Sequence, residues 1–493
     1  MIESIINGIN DIVWSNALIA VALLSGIYYS FKTKFVQIRL FKEMFRLLFG
    51  GKASEHGVSS FQAFAIAISG RVGTGNIAGV ATAIALGGPG AIFWMWVIAF
   101  LGSASAFIEA TLGQLYKVNK GGEYRGGPAY YIEKGLGIKW FATLFAIATI
   151  LSTALFLPGV QANSIAAGVK SAFDIDPMYT GIAIITFLSI IVFGGVKRIG
   201  KFSEIVVPFM AIAYVLVAIV IIGINFKEIP AVFKLIFTSA FGVNQAFGGI
   251  VGMAIMWGVK RGIYSNEAGQ GTAPHAAAAA EVSHPAKQGL VQAFSVYIDT
   301  LFVCTATAFM ILFTLQYNVV DPDGGFITEH LPGVNFGPEY TQMAIESQFP
   351  GFGKIFVAIS LTFFAFTTIM AYYYIAETNV SYLDKENKKK WMIWALRILL
   401  LGATFYGTLK SAELAWTMGD IGVGIMAWLN FIAIFLLRKP ALAMLRDYEN
   451  QKKSGIEEPI YDPDHSTAGD FDTSNLDLWR KIAARFKSGE HSQ

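Results

Sequence analysis

The sequence predicts an all-α membrane protein that crosses the bilayer about 11 times. Of its 493 residues, 54% are hydrophobic and only 14% are charged, and the mean hydropathy is +0.53. A helix needs about 20 consecutive apolar residues to cross a bilayer. Stretches that meet this requirement lie at 12–33, 58–86, 90–116, 140–170, 178–195, 203–224, 240–259, 287–316, 352–383, 391–410 and 413–437.

The charge pattern predicts the orientation of these spans. Cations concentrate in the segments 32–52, 117–139, 197–201, 260–287 and 385–390, whereas the loop 319–350 carries five acidic residues and no Lys or Arg. Cytoplasmic loops are enriched in Lys and Arg. We therefore expect a plasma-membrane protein with its N-terminus outside and its C-terminus inside. The net charge of +3 is too small, and too scattered, to indicate a nucleic-acid partner.

The number of spans predicts how the chain is organised. One N-terminal helix and a basic amphipathic segment occupy 1–57, two sets of five spans occupy 58–224 and 225–437, and a tail with an amphipathic helix occupies 438–493. Five crossings reverse the direction of the second set, as in transporters built from inverted repeats. The amphipathic segments at 35–48 and 476–486 are expected either in the lipid headgroup layer or against the protein's own surface.

The second span has an interruption in its middle. Residues 69–76 read SGRVGTGN, so three glycines and an arginine lie within an otherwise apolar run. A broken helix is tolerated at membrane depth only where protein or a polar cavity covers it. The seventh span is also rich in glycine, at 247–252, although glycines in membrane helices also mark close helix packing. A pair of broken helices in two inverted halves predicts a transporter with a binding site near mid-membrane.

A broken helix offers N–H groups at one end and C=O groups at the other, which suits an amino acid zwitterion. The N–H groups of Gly73, Thr74 and Gly75 are expected to bind a carboxylate. The ammonium group is expected at carbonyls near Gly70 and in the seventh span. The predicted substrate site thus includes Gly70, Gly73, Thr74, Gly75, Asn76, Phe247, Gly248, Gly249 and Ile250. Phe247 is interpreted as a wall or gate of the site, with ordinary core packing as the alternative.

A cation site is predicted beside the same break. The carbonyls of Ser69 and Val72 are hard oxygen ligands of the kind that Na⁺ prefers, and Thr367 and Thr368 in the ninth span add two hydroxyl groups. A membrane threonine often bonds a carbonyl of its own preceding turn instead. Together with the break, the pair favours a sodium site.

Two longer motifs resemble a known family. Residues 87–102 read GGPGAIFWMWVIAFLG and residues 261–274 read RGIYSNEAGQGTAP, and both resemble signatures of the alanine or glycine:cation symporter family. The resemblance covers essentially the whole chain. It implies the LeuT-type fold of the amino acid-polyamine-organocation superfamily and Na⁺-coupled uptake of alanine or glycine, with H⁺ coupling as an alternative. Ser69, Val72, Thr367 and Thr368 would then hold the sodium ion shared by that fold.

The resemblance also bears on residues outside the motifs. It implies that Asn76 lies where some relatives hold a second sodium ion, and that Gln161 lines the pocket and contacts the substrate carboxylate. Hydrogen bonding between helices is the alternative for Gln161. Arg71 is expected to form an inner-gate ion pair with an acid. The segment 266–274 is interpreted as the start of a cytoplasmic helix near that gate.

The sequence therefore predicts a symporter that acts by alternating access, with a small neutral amino acid and the lipid bilayer as partners, Na⁺ as coupling ion, and a monomer as its state. An enzyme is not expected because no His lies within a span to act as a base at depth. No phosphate-binding loop is present to power an ATP-driven pump. An ion channel is the alternative, since glycine-rich breaks also line pores.

Overall fold

The computed structural model describes residues 2–51, 53–192, 195–384, 386, 390–466 and 471–488. Of the cations expected in basic loops, Lys52, Lys385, Lys388 and Lys389 lie outside these ranges. The first part of the chain forms α1 (Ile2–Val13), α2 (Asn16–Lys32), α3 (Val36–Arg39), α4 (Phe41–Leu48), α5 (Ser60–Arg71), a π-helical turn (Gly75–Gly79), α6 (Val80–Gly87) and α7 (Gly90–Leu115).

The middle of the chain alternates long helices with short turns. It forms β1 (Val118–Lys120), β2 (Glu123–Arg125), α8 (Pro128–Tyr131), a π turn (Ile132–Leu136), α9 (Lys139–Leu151), a π turn (Ser152–Phe156), α10 (Leu157–Phe173), α11 (Pro177–Val192), α12 (Gly195–Ile224), a 3₁₀ turn (Phe226–Glu228) and α13 (Ile229–Ala240). Strands β1 and β2 pair antiparallel, with Val118 opposite Arg125.

The last part begins with a 3₁₀ turn (Gly248–Ile250). It continues with α14 (Val251–Asn266), α15 (Ala273–Ala279), α16 (Pro285–Val296), a π segment (Tyr297–Cys304), α17 (Thr305–Phe313), β3 (Asn318–Val320), β4 (Phe326–Glu329), α18 (Pro338–Gln348), α19 (Gly353–Leu383), α20 (Lys390–Leu409), α21 (Ala412–Leu436), α22 (Arg438–Lys453) and α23 (Asp477–Ser488). The acidic loop thus folds as an antiparallel hairpin, with Asn318 opposite Glu329, followed by α18.

The helices confirm a polytopic membrane protein. Within the described ranges, eight helical stretches are long and apolar enough to cross a membrane: Ser4–Lys32, Gly90–Leu115, Lys139–Phe173, Ile199–Ile224, Pro285–Phe313, Gly353–Leu383, Lys390–Leu409 and Ala412–Leu436. Each overlaps a predicted span. The other three predicted spans coincide with shorter helices. The span 58–86 is divided into α5 and α6 by a break, and the span 178–195 corresponds to α11, which ends at Val192. In the span 240–259, helix α14 begins only at Val251.

The break predicted in the second span is present. Helix α5 ends at Arg71, Val72 and Gly73 leave the helical path, and the chain resumes as a π turn and α6. Almost every residue from Ser60 to Gly87 is buried, so protein and not lipid surrounds this break. This agrees with the requirement that irregular backbone at membrane depth be covered.

The seventh predicted span is interrupted near its glycine-rich segment, and the structure adds a second interruption further along the chain. Residues 241–247, between α13 and α14, are not helical. Gly248–Ile250 forms a 3₁₀ turn that starts α14, and the helix then runs without interruption to Asn266. The chain leaves the helical path at 267–272, where Glu267, Gly269 and Gly271 all have positive φ, and resumes as α15. The segment expected to begin a cytoplasmic helix is therefore the interruption itself. Close packing does not explain Gly249 or Gly252, since a Cβ on either would meet no atom within 4 Å, whereas a Cβ on Gly248 would lie 3.3 Å from the Gly242 carbonyl oxygen.

The two ends of the bundle differ in what covers them. We call the end that carries the β1–β2 hairpin, α22 and α23 the tail face, and the end that carries the β3–β4 hairpin the opposite face. Helix α23 packs against the protein, because Trp479, Ile482 and Ala483 are buried. The segment around α4 is mixed: Met44 and Leu47 are buried, whereas neighbouring aromatic side chains are exposed. One amphipathic segment thus docks on the protein, and the other presents an apolar face outward.

Docking of α23 depends on Trp479, so we expect Trp479→Ala to release this helix. The indole Nε1 donates to the carbonyl oxygens of Gln114 at 3.1 Å and Leu115 at 3.0 Å, and the side chain is fully buried. Replacing a buried Trp with Ala costs about 3–5 kcal/mol. Amide hydrogen exchange across 477–488 should therefore accelerate by about 100-fold or more. The exposed Lys481→Ala should leave the rate unchanged; equal exchange in both variants would contradict the docking role.

Candidate functional site

The two interruptions lie side by side in the interior of the bundle. A Cβ placed on Gly70 would lie 3.4 Å from Glu267 Oε2, and one placed on Gly75 would lie 3.2 Å from Ser265 Cα. Gly70, Gly75, Ser265 and Glu267 are all buried. The end of α5 and the start of the next half-helix therefore face the end of α14, and three helix ends converge on one small region.

The predicted partner segment in the seventh span does not reach this region. Phe247 and Ile250 lie beside Gly88 at the end of α6, where a Cβ on Gly88 would approach Phe247 Cδ1 at 3.4 Å and Ile250 Cδ1 at 3.2 Å. The structure thus separates Phe247, Gly248, Gly249 and Ile250 from the break at Gly73 by the length of α6. Phe247 is buried, which fits its alternative interpretation as a packing residue.

The N–H groups at the first break are held by side-chain oxygens. The Gly73 N–H donates to Asn76 Oδ1 at 2.9 Å, and the Thr74 N–H donates to Gln161 Oε1 at 3.0 Å. Gln161 projects from α10, so the structure brings it to the predicted carboxylate site. The Thr74 hydroxyl is buried and lacks a hydrogen-bond partner in the described structure. Two amide oxygens therefore occupy the positions that carboxylate oxygens would take.

The hydroxyl groups of the ninth span behave differently from each other. Thr368 Oγ1 donates to the Ser69 carbonyl at 2.8 Å, lies 3.4 Å from the Val72 carbonyl and 2.9 Å from the Phe364 carbonyl. Thr367 Oγ1 instead bonds the carbonyls of Phe363 and Phe364 in its own helix, at 3.0 and 2.9 Å. The predicted group of Ser69, Val72 and Thr368 is thus assembled across α5 and α19. Thr367 lies one residue away with its hydroxyl satisfied locally.

The Phe364 carbonyl belongs to the same oxygen cluster and was missed by the sequence analysis. It lies one turn before Thr368, and a threonine hydroxyl commonly turns to the carbonyl four residues earlier. The four-residue spacing between Phe364 and Thr368 is the sequence signal from which this contact could have been predicted. Three carbonyls and one hydroxyl form a neutral, hard oxygen set, which suits a monovalent or hard divalent cation better than a soft metal.

A second polar cluster surrounds the buried carboxylate of Asp299 in the π segment Tyr297–Cys304. Asn76 Nδ2 donates to Oδ1 at 2.6 Å, Ser265 Oγ lies 3.0 Å from Oδ2, and Thr300 Oγ1 donates to Oδ2 at 2.7 Å. Within the described structure no Lys, Arg or His lies within ion-pair distance of Asp299. A charged carboxylate buried among neutral groups is costly. Asp299 is therefore suited to carry a proton or to hold a cation.

The loop 267–272 is held by a second carboxylate. Glu109 of α7 accepts the N–H groups of Gly269 at 3.2 Å and Gly271 at 3.1 Å, and Asn430 Nδ2 donates to it at 2.8 Å. Both glycines have positive φ, 81° and 89°, which a side chain would disfavour. Glu109 thus fixes the shape of the second break. This anchoring role was not predicted.

The predicted ion pair of Arg71 is not formed in the described structure. Arg71 is fully buried, and its Nη1 donates to the Gln292 carbonyl at 3.2 Å and to Ser295 Oγ. No described carboxylate lies within 4.0 Å of it. The guanidinium instead joins the end of α5 to α16 on the side of the break that leads to the tail face.

A buried ion pair lies on the other side of the break. Arg261 Nη2 is 2.6 Å and Lys260 Nζ is 2.8 Å from Asp420 Oδ2. The prediction that Lys260 and Arg261 belong to a basic loop is wrong, because both lie inside α14 and are buried. The ring of Trp416 covers the Arg261 guanidinium at 4.6 Å and lies 5.0 Å from the Tyr264 ring. Charged and aromatic groups therefore close the region between the break and the opposite face.

Comparison with known proteins places these features in a family. The family model described as the sodium:alanine symporter family matches residues 1–463. The Bacillus subtilis (strain 168) protein YrbD is 63% identical over 473 residues, which cover 96% of each chain. The sodium/proton-dependent alanine carrier protein of Bacillus sp. (strain PS3) is 56% identical over 445 residues, 90% of this chain and 98% of the relative.

A more distant relative extends the similarity to archaea. The sodium/alanine symporter AgcS of Methanococcus maripaludis is 38% identical over 459 residues, which cover 92% of this chain and 98% of that protein. The family and these named relatives are transporters and not enzymes. The chain belongs to the sodium:alanine symporter family.

Proposed function

We propose that this protein is a secondary active symporter that takes up a small neutral amino acid, alanine or glycine, together with Na⁺. The observation that carries the proposal is the meeting of two broken helices beside an oxygen cluster that spans α5 and α19. Relatives named as sodium-dependent alanine carriers support the same substrate and ion. The coupling follows from geometry, because Ser69 and Val72 precede the very N–H groups assigned to the substrate.

The substrate carboxylate is assigned to the N–H groups of Gly73 and Thr74. In this conformation the oxygens of Asn76 and Gln161 accept those hydrogen bonds. A bound carboxylate would replace Gln161 at Thr74 and would gain the unpartnered Thr74 hydroxyl. The ammonium group is assigned to last-turn carbonyls of α5 and α14, which helices leave without internal partners. This assignment replaces the one to Phe247, Gly248, Gly249 and Ile250.

The small size of the substrate follows from the packing around the break. A Cβ on Gly73 would meet Thr368 Oγ1 and would lie 2.9 Å from Gln161 Oε1. Gly75 is similarly close to Ser265 and Tyr264. Tyr264, Trp416 and Tyr372 surround this region with large rings, so a compact side chain such as hydrogen or methyl fits best.

Na⁺ is assigned to the oxygen cluster of Ser69, Val72, Phe364 and Thr368. Binding there would replace the hydrogen bond that the Thr368 hydroxyl donates, and the ion would link α5 to α19 at the break. The ion would thereby fix the backbone that presents Gly73 and Thr74 to the substrate. Thr367 is assigned a supporting role, because its hydroxyl already bonds its own helix.

H⁺ coupling is the second candidate, and Asp299 is the observation that favours it. This carboxylate is buried with neutral partners and is linked to the first break through Asn76. A proton or a second Na⁺ at Asp299 would bias the same break. The relative from strain PS3 is named as sodium/proton-dependent, which agrees with a site of this kind.

In alternating access the site opens to one side of the membrane at a time, and we assign the closing of the two paths to groups on either side of the site. Arg261 and Asp420 would close the path toward the opposite face, and Arg71 with Ser295 and the Gln292 carbonyl would close the path toward the tail face. Transport requires that ion and substrate bind with different affinity when one path or the other is open. Because the ion and the substrate are both assigned to the break, a change in the shape of the break would change the affinity for both.

The positions of the breaks and of the basic segments also support a topology for the chain. The two breaks lie in helices of opposite direction, one in 58–224 and one in 225–437, which supports a LeuT-type inverted repeat of five plus five helices with one extra N-terminal helix. Basic segments gather at the tail face, so we assign the tail face to the cytoplasm and the N-terminus to the outside of the plasma membrane. The site lies within one chain, which supports transport by a monomer.

Thr368→Ala should weaken Na⁺ activation far more than Thr367→Ala. Losing a hydroxyl that binds a charged partner costs about 1.5–3 kcal/mol, so the Na⁺ concentration for half-maximal alanine uptake should rise by about 10-fold or more in Thr368→Ala. Thr368→Ser keeps the hydroxyl and should retain near-normal activation. The measurement is alanine uptake into proteoliposomes at increasing Na⁺. Equal shifts in the two alanine variants would refute the assignment to Thr368.

Gly73→Ala should abolish high-affinity uptake, whereas Gly249→Ala should not. A Cβ on Gly73 would meet Thr368 and Gln161, and overpacking of this kind costs about 1–3 kcal/mol. A Cβ on Gly249 would meet nothing within 4 Å. Half-saturating alanine concentrations of the two variants test whether the 247–250 segment contributes to the substrate site. Severe loss in Gly249→Ala with activity in Gly73→Ala would return the site to the 247–250 segment.

Asp299→Asn should remove any uptake that an inward H⁺ gradient drives, because the amide cannot carry the proton. We would measure labelled alanine accumulation in proteoliposomes with an inward Na⁺ gradient, an inward H⁺ gradient, or neither. Retention of Na⁺-driven uptake with loss of H⁺-driven uptake would assign the proton to Asp299. H⁺-driven uptake that survives in Asp299→Asn would exclude Asp299 as the proton site.

A further inference from the structure

A basic cleft opens at the tail face between the end of α2 and the start of α22. Its volume is about 540 Å³. Six cationic side chains line it, against the single carboxylate of Glu449: Lys32, Lys34, Arg39, Arg438, Lys439 and Arg446. So many like charges repel one another unless an anion lies between them.

The protein's own acids do not neutralise this cleft. Glu449 is already paired with Arg39 at 2.6 Å. Arg438 donates to the Phe435 carbonyl at 2.8 Å, which leaves its charge uncompensated. Lys34 and Arg446 are exposed and form no ion pair within the described structure. The cleft is therefore complementary to a ligand that carries negative charge.

The backbone at the rim of the cleft is held in an unusual conformation. Lys34 and Phe35 both have φ of 54°, in the left-handed region that residues other than glycine rarely adopt. Arg39 Nη2 donates to the Thr33 carbonyl at 3.0 Å, and the Phe35 N–H donates to the Ser30 carbonyl at 2.6 Å, so this turn is tied in place. Strained backbone of this kind concentrates at ligand sites. Here it turns the chain so that both Lys34 and Arg39 border the cleft.

Two exposed apolar surfaces lead up to the cleft. They belong to α2 and α21, which lie in candidate membrane spans, and their exposed side chains are Leu24, Ile27, Phe31, Ile432, Phe435 and Leu436. The rings of Tyr28 and Phe435 lie 5.8 Å apart and join these surfaces beneath the cleft. A free inorganic anion would use the cations alone, whereas an amphipathic ligand would use both the cations and this apolar strip.

We propose that this cleft binds the headgroup of an anionic phospholipid, with its phosphodiester among the six cations and its acyl chains along α2 and α21. Basic pockets between membrane helices are suited to anionic headgroups. The bound lipid would connect α2, which precedes the first repeat, to α22, which follows the last span. This site is separate from the transport site and does not depend on the proposed substrate or ion.

The test is lipid binding to the purified full-length protein. Delipidated protein in detergent would be titrated with dioleoyl-phosphatidylglycerol, dioleoyl-phosphatidylcholine or inorganic phosphate, and bound lipid would be measured by native mass spectrometry. Each cation near an anionic lipid changes binding about fivefold, so the double variant Lys34→Gln, Arg446→Gln should bind phosphatidylglycerol about 30-fold more weakly. The matched control Lys42→Gln, Lys481→Gln removes the same charge from exposed tail-face positions outside the cleft.

Selective loss of phosphatidylglycerol binding in the cleft variant, with wild-type binding in the control, is the expected result. Equal weakening in both variants would show diffuse attraction and would overturn the proposal. Displacement of the lipid by millimolar inorganic phosphate would identify a free-anion site and would also overturn it. Circular dichroism of both variants establishes that a lost signal does not come from unfolding.

Discussion

Every polar backbone group at the two helix breaks needs a partner within the protein, because the breaks are buried at membrane depth, where no water is available to hydrogen-bond with them. The chain meets this need in two ways. At the first break, the amide oxygens of Asn76 and Gln161 accept the N–H groups of Gly73 and Thr74. At the second break, the carboxylate of Glu109 accepts the N–H groups of Gly269 and Gly271. These four hydrogen bonds allow the two interruptions to be buried side by side in the bundle.

The hydrogen bonds at the two breaks differ in how much free energy it costs to break them. A neutral amide gives up a hydrogen bond at modest cost, since the net contribution of such a bond is about 0.5–1.5 kcal/mol. A buried carboxylate that lost its donors would be left uncompensated, at much greater cost. The first break is thus suited to exchange its internal partners for a ligand, while the second keeps its shape. In the proposed transport cycle, the substrate would act on the first break, and Glu109 would hold the second as a fixed surface.

How far the sequence predicts the site depends on which contacts are local. The first break was predicted because Arg71, Thr74 and Asn76 interrupt an apolar run, and a polar interruption is visible in any short window. The interruption at 267–272 was not predicted, because Lys260 and Arg261 give the last part of α14 the composition of a loop. Only the fold shows that Asp420, 159 residues further along, neutralises Arg261 and lets it lie inside the bundle. The link between Asp299 and the first break was not predicted for the same reason, since its partner Asn76 lies 223 residues away. The spans themselves were predictable because crossing a bilayer is a local property of length and hydropathy.

The buried charges fall into two groups with different roles. Asp420 pairs with both Arg261 and Lys260, and these contacts join α14 to α21 in the absence of any ligand. Asp299 and Arg71 hydrogen-bond only to neutral groups among the described residues, and they interact with each other and with neighbouring carboxylates only beyond ion-pair distance. A paired cluster is stable as it stands and must be pulled apart to open, whereas an unpaired group changes its energy when a cation or proton arrives. A transporter needs both kinds: one to keep a path closed, and one to sense the ion. Asp299 lies at the break, and the cluster of Arg261, Lys260 and Asp420 lies beyond it, toward the opposite face. In the proposed cycle, an ion that binds at the break would therefore act first, and the paired cluster would open afterwards.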